Sequence, residues 1–216
     1  MRSALRPAPP ALLLLDGAGA ATLCELPLDG MTLEDAFGWL ESELAALLGR
    51  PVALDRPAEP PPLPPGNGDR FATADAEAFR AFAAWFADGH RLLAAVAARH
   101  PGAAPVRCWP HHFDIATLLP LDAGGDPDTA RSIGAGLQPG DGARPEPYLY
   151  VTPWPYPDPA RLPPLAVGGW HTAGWVGAVL EAEVLLAAGA ATAQARLAER
   201  FLDGAIAACR ELLERD

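Results

Sequence analysis

The 216-residue sequence predicts an α+β protein with a largely antiparallel sheet and about three helices packed on one of its faces. Three observations predict it. Stretches with strand character cluster in the second half of the chain, helical periodicity lies before and after them, and no βαβ alternation or internal repeat runs through the sequence. Half of the residues are hydrophobic, so one domain over 1–216 can bury a core without disulfides or a structural metal.

Ala11 to Leu15 and Thr22 to Leu28 read as a hairpin around the turn-forming Asp16-Gly17-Ala18-Gly19. Thr32 is a good N-cap with Asp35 three positions on. Leu33, Phe37, Leu40, Leu44, Leu47 and Leu48 then recur at helical spacing until Gly49. Residues 57–68, PAEPPPLPPGNG, lack the backbone donors that a helix or central strand needs, and read as a proline-rich surface linker. A second helix is expected from about Asp75 to Arg99, with Phe79, Phe82, Phe86, Leu93 and Val96 on one face.

Val106 to Leu119, VRCWPHHFDIATLL, is the stretch around which the chain is expected to organise, read as one strand. Alternation along it puts His112 and Asp114 on one face and Phe113 and Ile115 on the other, while Pro110 leaves the parity upstream of His111 open. Further strands are expected around Arg131–Leu137, over Tyr148–Trp154, and from His171 to about Leu180; a last helix begins near Thr192, with Leu197, Phe201, Ala205, Cys209 and Leu212 as its stripe.

Comparing parities, Phe113, Ile115, Leu149, Val151, Val176 and Leu180 form the face under the helices. The helix-free face then carries His112, Asp114, Tyr148, Tyr150, Trp154, His171 and Trp175. Aromatic rings mixed with a few polar groups suit a small-molecule pocket or a partner surface. His112, Asp114 and His171 are the catalytic and metal candidates: two imidazoles and a carboxylate suit zinc, iron or manganese, or a histidine base oriented by Asp114. The bland alternative is a structural network in which these groups satisfy one another. Tyr148, Tyr150, Trp154 and Trp175 are the ligand-binding candidates.

Composition excludes several classes. A net charge of -11 argues against nucleic acid as a partner. Every basic residue is arginine, so a P-loop lysine, a Schiff base and a lysine base are absent; the bias resembles that of GC-rich bacterial coding. Ser3, Ser42 and Ser132 lie in no nucleophile-elbow pattern. Gly134-Ala135-Gly136 opens no helix, and Asp122, Asp126 and Asp128 lack the glycine and closing glutamate of a calcium loop. Cys24, Cys108 and Cys209 read as small buried hydrophobes. The apolar run at Ala11–Leu15 is too short for a secretion signal, and no stretch approaches membrane-spanning length, so a cytoplasmic protein without membrane contact is expected. Oligomeric state is not legible.

WPHHFDIA at Trp109 to Ala116, GLQPGDGARPEPYLYVTPWP at Gly136 to Pro155 and WHTAGWVGAVL at Trp170 to Leu180 resemble an uncharacterised, mainly bacterial domain-of-unknown-function family. Its members carry an FD-containing strand, a PGD-type turn and an EPxxY strand, and the resemblance covers most of the chain. Some longer members have a small residue and a serine where His111 and His112 stand, a departure that weakens a shared metal chemistry. Asp114, Glu146, Pro147 and Tyr148 remain as the matching positions, which adds Glu146 to the ligand-binding candidates. The resemblance implies fold boundaries and no activity.

Overall fold

The computed structural model describes residues 1–19, 21–57, 69–110, 112–122, 124 and 129–214. The proline-rich stretch beyond Pro57, His111, and Asp126 with Asp128 lie outside the described residues. The chain is α+β with antiparallel sheets, and divides into two compact units, Met1–Ala84 and Trp85–Asp216.

In the first unit β1 (Arg2–Pro7), β2 (Pro10–Leu15) and β3 (Thr22–Pro27) form an antiparallel sheet in the order β1-β2-β3. The expected hairpin is β2 and β3; β1 was not legible, because its prolines and arginines break any alternation. Helix α1 (Leu33–Leu48) begins at Thr32 in a reciprocal capping box with Asp35, and ends at Gly49 with φ 66°. Arg56 closes over α1, pairing with Glu34 and Glu41 while its guanidinium lies 4.6 Å from the Phe37 ring centre. The boundary between the units falls within α2 (Ala76–Arg99), whose first turn is capped by Asp75 accepting from Ala78 N–H at 2.9 Å.

The second unit is built on a six-stranded antiparallel sheet. Its strands are β4 (Arg107–Trp109), β5 (Asp114–Pro120), β6 (Ser132–Gln138), β7 (Tyr148–Trp154), β8 (Gly169–His171) and β9 (Gly177–Glu181), in the order β4-β5-β6-β7-β9-β8. A short helix α3 (Ala182–Ala187), absent from the sequence reading, leads into α4 (Ala191–Glu214). Helix α4 lies against β6, β7 and β9 through Phe201, Leu202, Ala205, Ile206, Cys209 and Leu213, recurring at three- and four-residue intervals. Leu93 and Val96 of α2 enter the same core, and Gly89 sits so close that a Cβ there would fall 2.6 Å from Leu137 Cδ1. Helix α1 belongs to the first unit, with a sheet of its own.

Two expected strands are hairpins instead. Val106–Leu119 breaks at Pro110, which has no N–H for the ladder, and Trp109 pairs with Asp114 across the turn. Phe113 closes that turn at φ 54°, a left-handed conformation that bulky residues rarely adopt. Phe113 is therefore 37% exposed rather than buried under the helices; its ring lies 5.8 Å from Phe86. His171–Leu180 likewise divides into β8 and β9, with Gly174 at φ 85° in the turn between them. The alternation expected for Ile115, Leu149, Val151 and Leu180 is observed, all four being buried on the helix side.

Candidate functional site

The second face of the six-stranded sheet carries the chemistry. Directly opposed residues share a face, so the pairings Ala116, Gly136, Tyr150, Val179 and Leu118, Gly134, Thr152 define rows across it. Gly134 and Gly136 leave the middle of β6 without side chains on this side. A Cβ at Gly136 would overlap Tyr150 Cζ and Oη and lie 2.6 Å from Cε1, so the phenol ring rests directly on the β6 backbone. From there the Tyr150 hydroxyl reaches across β6 and donates to Asp114 Oδ2 on β5.

Asp114 is 5% exposed, and its other oxygen, Oδ1, is buried without a hydrogen-bond donor. On β6, Gln138 follows the partner of Ile115 as Asp114 precedes Ile115, and Gln138 Oε1 is also buried without a donor. Most buried polar atoms are paired, so acceptors in this state call for a physical explanation. A trough of about 260 Å³ opens beside them, lined by Trp109, His112, Asp114, Leu118, Gly134, Tyr150 and Thr152 among others. Burial first, and then the charge of Asp114 and the hydrogen bond to it, push the Tyr150 phenol well above its ordinary pKa. Tyr150 is thus held as a protonated donor.

A second cluster lies along the β7 and β9 end of the same face. The turn before β7 is fixed by Asp141, which accepts from the backbone N–H groups of Ala143 and Arg144, each at 2.7 Å, and from Tyr148 Oη at 2.7 Å. Burial works against ionising Asp141, but these hydrogen bonds outweigh it and hold its carboxyl below the usual range. Burial, together with this bond, raises the Tyr148 phenol. Arg144 stands 3.2 Å from Glu181 and donates to His171 Nδ1 at 3.2 Å. With Nδ1 accepting, His171 carries its proton on Nε2, which faces the Ala173 carbonyl at 2.8 Å. Both ring nitrogens are occupied. The imidazole lies 4.5 Å from the Trp175 ring, and Trp175 meets Tyr150 edge-on at 6.3 Å, so the two clusters touch through aromatic contacts.

The structure therefore divides the expected site. His112, Asp114 and Tyr150 line the trough; Trp175 supports Tyr150 from outside it; Tyr148 and His171 belong to the Asp141–Arg144 cluster. Trp154 is on the expected face but 39% exposed, stacked edge-on against Tyr156 at 5.2 Å, and Glu146 is exposed; neither lines the trough. Among the described residues no group of three or more His, Cys, Asp or Glu side chains is placed to hold a metal ion, so His112, Asp114 and His171 do not converge as a ligand set. That expectation is corrected by position: His171 ends β8 at the sheet's far edge, whereas His112 lies in the β4–β5 turn at the opposite edge.

Sequence reasoning missed Trp109 and Thr152. Pro110 left the face of Trp109 open; the hairpin puts it on the side of Asp114. The Pro-His-His sequence was the signal available for a turn there. A second, larger cavity of about 440 Å³ lies between α2 and α4, with Trp85, Leu92, Leu137, Leu149 and Ala198 among its walls. It is mostly apolar and includes none of the expected site residues. No family model, curated protein or solved structure matches this chain.

Proposed function

We propose that this protein binds a small organic molecule in the trough beside Asp114. The observation that carries the reading is the buried, half-satisfied carboxylate of Asp114 in the wall of a concave site edged by Trp109, Tyr150 and His112. Such a carboxylate costs stability unless a donor reaches it, and a ligand is one source of that donor. The aromatic walls supply contact area at little entropic cost. An NMR fragment screen of neutral and charged compounds tests this: binders should shift the Gly134, Tyr150 and Thr152 amides and the Trp109 indole. A screen whose binders all map elsewhere rejects the site.

Exposure favours one other reading. Trp109, Leu118 and Trp154 are 45%, 43% and 39% exposed on the same sheet face, an arrangement suited to docking a protein. Light scattering across a hundredfold concentration range would reveal self-association through that face. The cytoplasm is the compartment we infer, since Cys24, Cys108 and Cys209 are all free thiols. No described helix is long and apolar enough to cross a membrane.

A further inference from the structure

We infer that the ligand of the trough is a small organic cation carrying N–H donors, a primary amine or a guanidine, held by Asp114 and the Trp109 and Tyr150 rings. This rests on the proposed small-molecule site and names its ligand class. Among the described residues of the lining Asp114 is the single carboxylate, and no arginine joins it. Arg107, which pairs with Ala116 on the edge strand, lies outside the lining, and His112 is the one basic side chain among its described residues. Asp114 Oδ2 accepts from the Tyr150 hydroxyl, and Oδ1 has no hydrogen-bond partner among the described residues.

The missing partner is a donor, and a positively charged one compensates a buried carboxylate far better than a neutral one. Trp109 and Tyr150 belong to the lining, and aromatic rings attract cations. The net charge of -11 raises the local concentration of cations and lowers that of anions. At about 260 Å³ the trough falls below the usual range for drug-sized ligands, which limits the occupant to a few heavy atoms around the charged group. A quaternary ammonium fits less well, because it has charge and no N–H for Oδ1.

The test uses the full chain and four probes: butylamine, methylguanidine, tetramethylammonium and the uncharged butanol. Indole and amide NMR shifts are followed at low and high salt. Butylamine and methylguanidine should bind at the trough with millimolar dissociation constants and weaken with salt; butanol and tetramethylammonium should bind at least tenfold more weakly. Asp114→Asn should lose about tenfold in amine affinity, the loss of one charge-assisted bond, with butanol unaffected. Trp109→Ala, at an exposed position, provides a second variant that should lose severalfold should Asp114→Asn fail to fold. Butanol binding as well as butylamine at the trough would overturn the cation assignment and leave the small-molecule site standing with a neutral ligand. Absence of trough shifts with every probe and with the fragment screen would remove both.

Discussion

Gly136→Ala tests how the Tyr150–Asp114 pair is built. The new Cβ would overlap Tyr150 Cζ and Oη, whereas carbon atoms in good contact stand about 3.5–4.0 Å apart. The ring must move by about an ångström or more, which carries its hydroxyl out of hydrogen-bond range of Asp114. A lost bond to a charged group costs about 1.5–3 kcal/mol, and a weakened edge contact with Trp175 adds about 0.5–1.5 kcal/mol. Alanine in place of a strand glycine returns about 0.5–1 kcal/mol, leaving a net destabilisation near 2 kcal/mol. Tyr150→Ala removes the obstacle. It costs about 3–5 kcal/mol by itself, but in its background Gly136→Ala has only the backbone benefit and should stabilise by about 0.5–1 kcal/mol. Urea denaturation of the four proteins, followed by far-UV circular dichroism, gives the coupling directly. The same cost for Gly136→Ala in both backgrounds would refute the ring-on-backbone arrangement.

Two further substitutions probe other features. At Phe113, φ 54° penalises any residue with a Cβ by about 1–2 kcal/mol. Phe113→Gly should therefore be more stable than Phe113→Ala by about 1 kcal/mol, the reverse of the order on an ordinary strand; equal stabilities in thermal melts would argue against the left-handed turn. Asp122 accepts from the guanidinium and then the backbone N–H of Arg131, and its carboxyl is held down at about 2. Because the folded pKa lies below the unfolded one, the stabilisation is complete above the unfolded carboxyl range, near pH 4, and is lost as pH falls through about 2. The stability gap between the parent chain and Asp122→Asn should close over that window in acid titrations; a gap independent of pH would count against the pair.

Local signals carried most of the fold. The α1 caps and the α4 stripe were legible because helix ends and apolar periodicity depend on residues a few positions apart. Tyr148–Trp154 was read with the bounds it has in β7, since its buried and less buried residues alternate within one strand. The hairpins at Trp109–Asp114 and His171–Gly177 were not read, because a four- or five-residue turn flanked by apolar and aromatic residues looks like continued strand, even with Gly174 in the second. That error had a direct effect on the site: one unread turn left the face of Trp109 open and put Phe113 in the core. The Tyr150–Asp114 bond was beyond sequence reasoning for another reason. It depends on Gly136, on the strand between them, having no side chain to separate them.

The edges of the larger sheet bear on how the protein behaves in crowded solution. Both terminal strands, β4 and β8, are three residues long, and β4 is bracketed by Pro105 and Pro110, neither of which can donate a backbone hydrogen bond. Little open ladder is left for another chain to extend, and fibril-like growth needs such a ladder. Unwanted association by strand addition is thus discouraged at each end, while a broad aromatic surface stays open between them.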